Sequence, residues 1–225
     1  MEANVEMHRK TIVLGTGNKH KVAEILPLLS DPGLNLNLRA AGEYGSFDPV
    51  EDGDTLEENA LIKARAAVAL SNEWAIADDT GLFVDALNGR PGIHAARYAG
   101  LGCSFADNIR KLLGELEGIP LSQRGATFSC VIALCRPGCE PAIFGGDCRG
   151  RILLRPKGVG GFGYDPVFEI ESVNKSFAEL SCDEKNTISH RAIAVKKCRE
   201  ALKILLSVKQ GGLETRPTIQ PETRF

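Results

Sequence analysis

Few features that would set this chain apart from ordinary globular proteins are present. No apolar run approaches the roughly 18 residues that suggest a membrane span, and the start, Met1 to Lys10, lacks the apolar core of a signal segment. Neither sign of charge is in excess. With 27 Lys and Arg against 29 Asp and Glu, the net charge is −2, so the chain lacks the basic surplus with which proteins grip duplex nucleic acid. The seven cysteines are an odd number at irregular spacings. They match neither a secreted disulfide framework nor the tight C-x2-C pairs of common zinc sites, and half-buried reduced thiols on strands are expected. These absences point to a cytoplasmic protein without a membrane or direct nucleic-acid partner. A small polyanion stays open as a ligand.

What is present is an average globular composition, 43% hydrophobic and 25% charged over 225 residues. That length supports a core without disulfide or metal staples. Residues 11–209 read as one domain. Residues 1–10 and 210–225 read as flexible termini, since the tail from Gly211 holds two glycines and two prolines with no apolar period. Thr11–Leu14 reads as a strand, and a helix follows the loop Gly15-Thr-Gly-Asn18 with Val22, Ile25, Leu26 and Leu29 on one face. Thr55 and Glu58 form a capping box for an Ala-rich helix to Leu70, and Trp74–Ala77 reads as a buried strand that ends at Asp78-Asp79-Thr80-Gly81. Ser104 caps a helix with Ile109, Leu112, Leu113 and Leu116 at i, i+3, i+4, i+7. Thr127–Leu134, Pro141–Phe144 and Arg151–Leu154 read as a meander broken at Pro-Gly and Gly-Gly turns, and a last helix runs from about Ser189 to Val208. The fold class expected is α/β, a mixed central sheet with flanking helices and two lobes around a substrate cleft.

Five segments carry chemistry. The loop Gly15–Lys21 fails both common nucleotide patterns, because it is not G-x-x-x-x-G-K-[ST] and His20 stands where a dinucleotide turn needs its third glycine. What survives is a strand-to-helix turn with a hydroxyl, an amide and two lysines at a helix N-terminus, suited to phosphate. In the second segment Asn59 and Lys63 are i, i+4 neighbours that can point at one ligand, and Glu51, Asp52 and Asp54 offer carboxylates to a hard cation. The third, Asp78-Asp79, places like charges side by side at a strand end, so either their pKa values separate to leave a proton acceptor or a divalent cation binds. The fourth, Gly158–Pro166, packs glycines around Phe162, Tyr164 and Asp165, where either ring can stack a heterocycle and the carboxylate can accept ring hydrogen bonds. In the fifth, Lys185, His190 and Arg191 gather donors near the start of the last helix.

Thr16-Gly-Asn-x-x-Lys21, Glu58-Asn-Ala-x-x-Lys-Ala64, Asp78-Asp-Thr-Gly-Leu82, Pro91-Gly-Ile-His-Ala-Ala-Arg97, Gly161-Phe-Gly-Tyr-Asp-Pro-Val-Phe168 and Ser189-His-Arg191 occur in one order. With these motifs the chain resembles the inosine triphosphate pyrophosphatase (Ham1-like) family over residues 11–208. The resemblance implies hydrolysis of ITP, dITP and XTP to the monophosphate and pyrophosphate, which cleanses the nucleotide pool and prevents misincorporation into DNA and RNA. It also implies Mg2+ as cofactor and a homodimer. Carried over by residue, Thr16, Gly17, Asn18, Lys19, His20 and Lys21 would hold the triphosphate, with Lys63 beside them. Asp79 would be proton acceptor and metal ligand, with Glu51 as a second ligand, and Thr80 would contact substrate. Phe162, Gly163, Tyr164, Asp165, Lys185, His190 and Arg191 would form the nucleoside pocket. A donor from His190 or Arg191 to O6 would select a 6-oxo purine, since a 6-amino group would meet donor with donor.

Overall fold

The β-branched run after Arg9 forms β1 (Lys10–Leu14), and Asn18 starts α1 (Lys19–Leu29) by accepting the backbone N–H groups of His20 and Lys21 on its side-chain oxygen. β2 (Leu36–Ala40) lies parallel to β1, and α2 (Leu56–Ser71) opens on the Thr55–Glu58 capping box, a device worth about 0.5–2 kcal/mol. It stops at Asn72, which adopts a left-handed backbone with φ 55°. The computed structural model describes residues 9–31 and 33–207. The expected flexible termini therefore lie outside the described residues, except for Arg9 and for Lys10, which already belongs to β1.

β3 (Trp74–Val84) pairs in parallel with β1 and antiparallel with β5 (Gly125–Cys135); between them in sequence come the two-residue β4 (Pro91–Gly92) and α3 (Phe105–Glu115). β6 (Ala142–Ile152), β7 (Phe168–Ile170) and β8 (Lys175–Ser176) continue the antiparallel side. The sheet order is β2-β1-β3-β5-β6-β7-β8, with β4 on β3. α4 (Cys182–Ile188) and α5 (His190–Ser207) close the chain, and α5 buries Val195, Cys198 and Leu202 as the apolar period requires. Among the described residues no helix is long and apolar enough to cross a membrane.

Three expectations are corrected. Asp78 to Gly81 do not end the strand: β3 runs unbroken through them, because β5 supplies a ten-residue ladder of partners from Ala75 to Val84. The meander's separate strands Pro141–Phe144 and Arg151–Leu154 are largely one strand, β6, with Gly145-Gly146 inside it. Here glycine serves close packing rather than chain reversal, since a Cβ on Gly146 would strike the His190 carbonyl and come within 2.6 Å of the Ala194 nitrogen in α5. Third, the donors near Ser189 do not share one helix. Ser189 is extended and separates α4, which carries Lys185, from α5, which begins at His190.

Two apolar clusters hold the two halves. One joins Ile12, Ile76, Ile132 and Leu134 to α1 and α5, and the other joins Leu82, Val84 and Phe168 to α3. Both use β3 and β5, so the sheet itself bridges the lobes. β1 ends at Leu14, its last tie to β3 being the Gly15 N–H donated to the Ile76 carbonyl at 2.8 Å. Beyond that point Asp79 and Thr80 open onto a cavity of about 330 Å³, with Asp78 buried beside them.

Candidate active site

The strand period explains how two adjacent aspartates coexist. Successive side chains on β3 face opposite sides of the sheet, and α5 covers the side of Ile76, Cys130 and Ile132 while α2 covers that of Ala77, Val131 and Ala133. Asp78 therefore meets Lys21 at 3.0 Å and Arg191 at 3.3 Å, whereas Asp79 meets Lys63 at 2.6 Å. Each carboxylate has its own cation, and neither needs to share one with its neighbour.

The electrostatics separate them. Burial alone would raise Asp78, which is fully inaccessible, but Lys21, Arg191 and Lys63 hold it far below the usual carboxylate range. For Asp79 burial wins over the pull of Lys63 and Lys21, and with the Glu51 charge nearby its carboxyl is pushed up to about 6. Lys63 stays firmly charged: burial opposes its ammonium, yet Asp79 and Asp78 beside it raise its pKa. The result is one permanently ionised aspartate and one poised to take a proton near neutral pH.

Lys63 projects from α2 to Asp79 and also to Glu51, 2.6 Å away on the loop before the helix. Its neighbour Asn59 does not point at a ligand alongside it. The Asn59 amide instead accepts the Gly53 N–H at 3.0 Å and donates to the Gly53 carbonyl at 3.3 Å, pinning the loop that carries Glu51. Two hard carboxylate oxygens around one cationic group are a donor set that suits a divalent ion of the Mg2+ type, which binds through one or two carboxylates and substrate phosphates.

In the loop that brings Phe162 to the cavity, Gly158, Gly161 and Gly163 adopt φ values of +83°, +71° and +62°. A Cβ on Gly161 would collide with the Asp165 carboxylate, whose Oδ2 accepts the Phe162 N–H at 2.8 Å and pairs with Lys185 at 2.6 Å. Asp165 thereby shapes the loop through Oδ2 while also lining the cavity. The Tyr164 ring is buried in the α3 cluster with its hydroxyl donating to the Ala95 carbonyl, leaving Phe162 as the less buried of the two rings on this loop. Phe162 has Lys185 at 5.1 Å and Arg191 at 5.6 Å from its ring centre.

Thr16, Gly17, Asn18 and Lys21 line the cavity. Lys19 and His20 from the same turn are exposed and do not; His20 instead stacks on Phe162, 5.1 Å between centres and 15° from parallel. His190 and Arg191 come from the first turn of α5. Burial, with the charges of Arg191 and Lys185, keeps His190 neutral, stacked on Phe128 at 4.6 Å with its Nδ1 unpartnered. Arg191 donates to Asp78, to Thr80 Oγ1 at 3.0 Å and to Glu24.

Glu24 is the residue that reading the sequence missed. It bridges Arg191 and Lys185, the latter at 2.7 Å, and so completes a line of alternating charges from Lys21 through Asp78, Arg191, Glu24 and Lys185 to Asp165. Its only signal in the sequence is its place three residues after Lys21 on α1, off the apolar face.

The sequence profile of the Ham1 family matches residues 12–201. A dITP/XTP pyrophosphatase of Halalkalibacterium halodurans is 46% identical over 189 residues, which cover 84% of this chain and 96% of the relative. One from Geobacter sulfurreducens is 45% identical over 192 residues, covering 85% and 96%. Among solved structures, a HAM1 protein from Coxiella burnetii superposes with a TM-score of 0.79 at 41% identity, over 87% of this chain and 99% of that one.

Proposed function

Because the chain belongs to the Ham1 family, we propose that it hydrolyses non-canonical purine nucleoside triphosphates, ITP, dITP and XTP, to the monophosphate and pyrophosphate. The observation that carries this reading is one cavity lined by a phosphate-type turn with Lys21, by Lys63 and Asp79, and by Phe162 with Lys185 and Arg191. Phosphate chemistry and a stacking wall thus face the same space.

In this reading Asp79 takes the proton of a water attacking the α-phosphorus. A carboxyl raised to about 6 suits a general base working near neutral pH. Lys21 and the main-chain N–H groups of the turn hold phosphate oxygens at the N-terminus of α1, and Lys63 stands ready beside them. Glu51 and Asp79 would hold Mg2+, which when bound would neutralise charge on the leaving pyrophosphate. Phe162 stacks the base. Arg191 makes four of its five N–H bonds within the protein, and the remaining one is offered to the 6-oxo group. A 6-amino group would put donor against donor at a buried site, at a cost of about 1–3 kcal/mol.

The reading extends to a cytoplasmic homodimer in which residues 11–209 act as one domain. Seven free thiols accord with a reducing compartment, and light scattering would give the assembly's mass. The deciding experiment is pyrophosphate release with Mg2+ from a panel of ITP, XTP, GTP and ATP. Fast release from ITP and XTP is expected; a protein that binds ITP without turnover, or that cleaves ATP equally well, overturns the reading.

A further inference from the structure

Lys63 occupies a peculiar place for a residue whose task is to hold phosphate. Its ammonium lies 2.6 Å from Glu51 and 2.6 Å from Asp79, and its side chain is only 6% exposed. Among the described residues neither carboxylate has another ion pair. Both ends of the arrangement are braced: α2 is fixed by its capping box, and Asn59, one turn before Lys63, clamps Gly53 in the loop that carries Glu51. A Cβ on Gly53 would approach the Glu58 Cβ to 2.6 Å, so this loop has little room to retreat from the helix. The two carboxylates are thus held at the spacing of one cation, and the cation present is the protein's own.

We propose that Lys63 is the resident counter-ion of the Glu51–Asp79 pair and that it transfers to a phosphate oxygen when a divalent ion takes its position. Two carboxylates cannot serve an ammonium and a divalent ion at the same oxygens, and the two positive charges repel at such range. Nor can the ammonium withdraw unpaired into a buried site. A triphosphate at the Lys21 turn, which lines the same cavity as Lys63, gives it a new anion. Lys63 therefore makes the metal and the triphosphate bind each other's form of the protein better, a coupling that is reciprocal by linkage. The nucleotide-free protein resists loading with metal, and its acidic pair stays bridged and in register until substrate arrives.

This inference rests on the pyrophosphatase reading, and its test is kept apart from turnover. Mn2+ would be titrated by electron paramagnetic resonance at pH 8 into the nucleotide-free wild type and into Lys63→Met and Lys63→Gln, then repeated with a non-hydrolysable imido analogue of ITP. Wild type should bind Mn2+ weakly alone and at least about tenfold more tightly with the analogue. Each variant should bind Mn2+ alone at least about tenfold more tightly than wild type and gain less from the analogue. Adding Glu51→Gln to Lys63→Met should abolish that gain, which locates the ion. Variants that are folded by circular dichroism yet bind Mn2+ no better than wild type overturn the inference, even if the wild type releases pyrophosphate from ITP. If wild type releases none, the parent reading fails instead. A merely structural lysine predicts loss of affinity on removal, the opposite sign.

Discussion

Asp78→Asn removes one charge from the centre of the buried ionic line while keeping the side chain's shape. Asp78 is inaccessible to solvent and is the ion-pair partner of Lys21 and of Arg191. Stripping one member from a buried ion pair typically costs about 3–5 kcal/mol, because the remaining charge is left desolvated. Here the low end applies. Arg191 keeps Glu24 and Thr80, and the Lys21 side chain is 16% exposed and can turn to water. A loss of about 3 kcal/mol is therefore expected, read by urea unfolding of both proteins side by side. The pH dependence sharpens the test. Asp78 is held below its ordinary value of 3.8, so its stabilisation is fully present above that pH and is lost only as pH falls through the lower folded-state value. The gap between wild type and variant should stay flat from pH 8 to 5 and narrow below about 4. A variant within about 0.5 kcal/mol of wild type would refute the argument, as would a gap that closes between pH 7 and 5.

Asp79→Asn should keep the fold and lower turnover at least about 10²-fold; the wild-type kcat/KM should rise with pH through about 6 or just below as the Asp79 carboxyl ionises. A loss of only a few-fold, or a flat profile from pH 5 to 8, removes Asp79 from the base role. Phe162→Ala should weaken ITP and ATP alike by about 1–3 kcal/mol in kcat/KM, since stacking reads any purine face; a collapsed ITP/ATP ratio would show that the ring discriminates between bases. Gly146→Ala should destabilise by about 3 kcal/mol, because α5 must shift away from β6. Gly145→Ala, where a Cβ meets nothing within 4 Å, is the control and should change stability little; similar costs for the two would mean that contact with α5 is not the cause.

Local signals carried far in this chain. The caps at Asn18, Thr55 and Ser104 start helices where their side chains dictate, and the apolar periods of α3 and α5 point into the clusters they were expected to fill. What could not be read was whatever depends on a distant partner. Asp78-Asp79-Thr80-Gly81 looks like a strand end because nothing nearby reveals that β5 will pair with it, and Gly145-Gly146 looks like a reversal until α5 is laid across it. Arg191 offers the sharpest case. As a lone basic residue it reads as a free donor for a base, yet it is 2% exposed and anchored to Asp78, Glu24 and Thr80. Arg191→Ala would consequently disturb packing as well as recognition, and it is a poor probe of specificity taken alone.

The ten-pair ladder between β3 and β5 has a consequence for motion. Asp79 sits in the middle of that ladder, opposite Val131, with α2 over its side of the sheet. Backbone of this kind opens only with the fold as a whole, so its amides should be among the slowest to exchange with deuterated solvent. Phe162 lines the same cavity from a loop outside every strand and helix, with glycines at 158, 160, 161 and 163. Exchange there should be fast and should slow when a nucleotide is bound. In the proposed reading the strand that carries the base is thus a fixed anvil, and the movement needed to admit and release a purine falls to the glycine-rich loop.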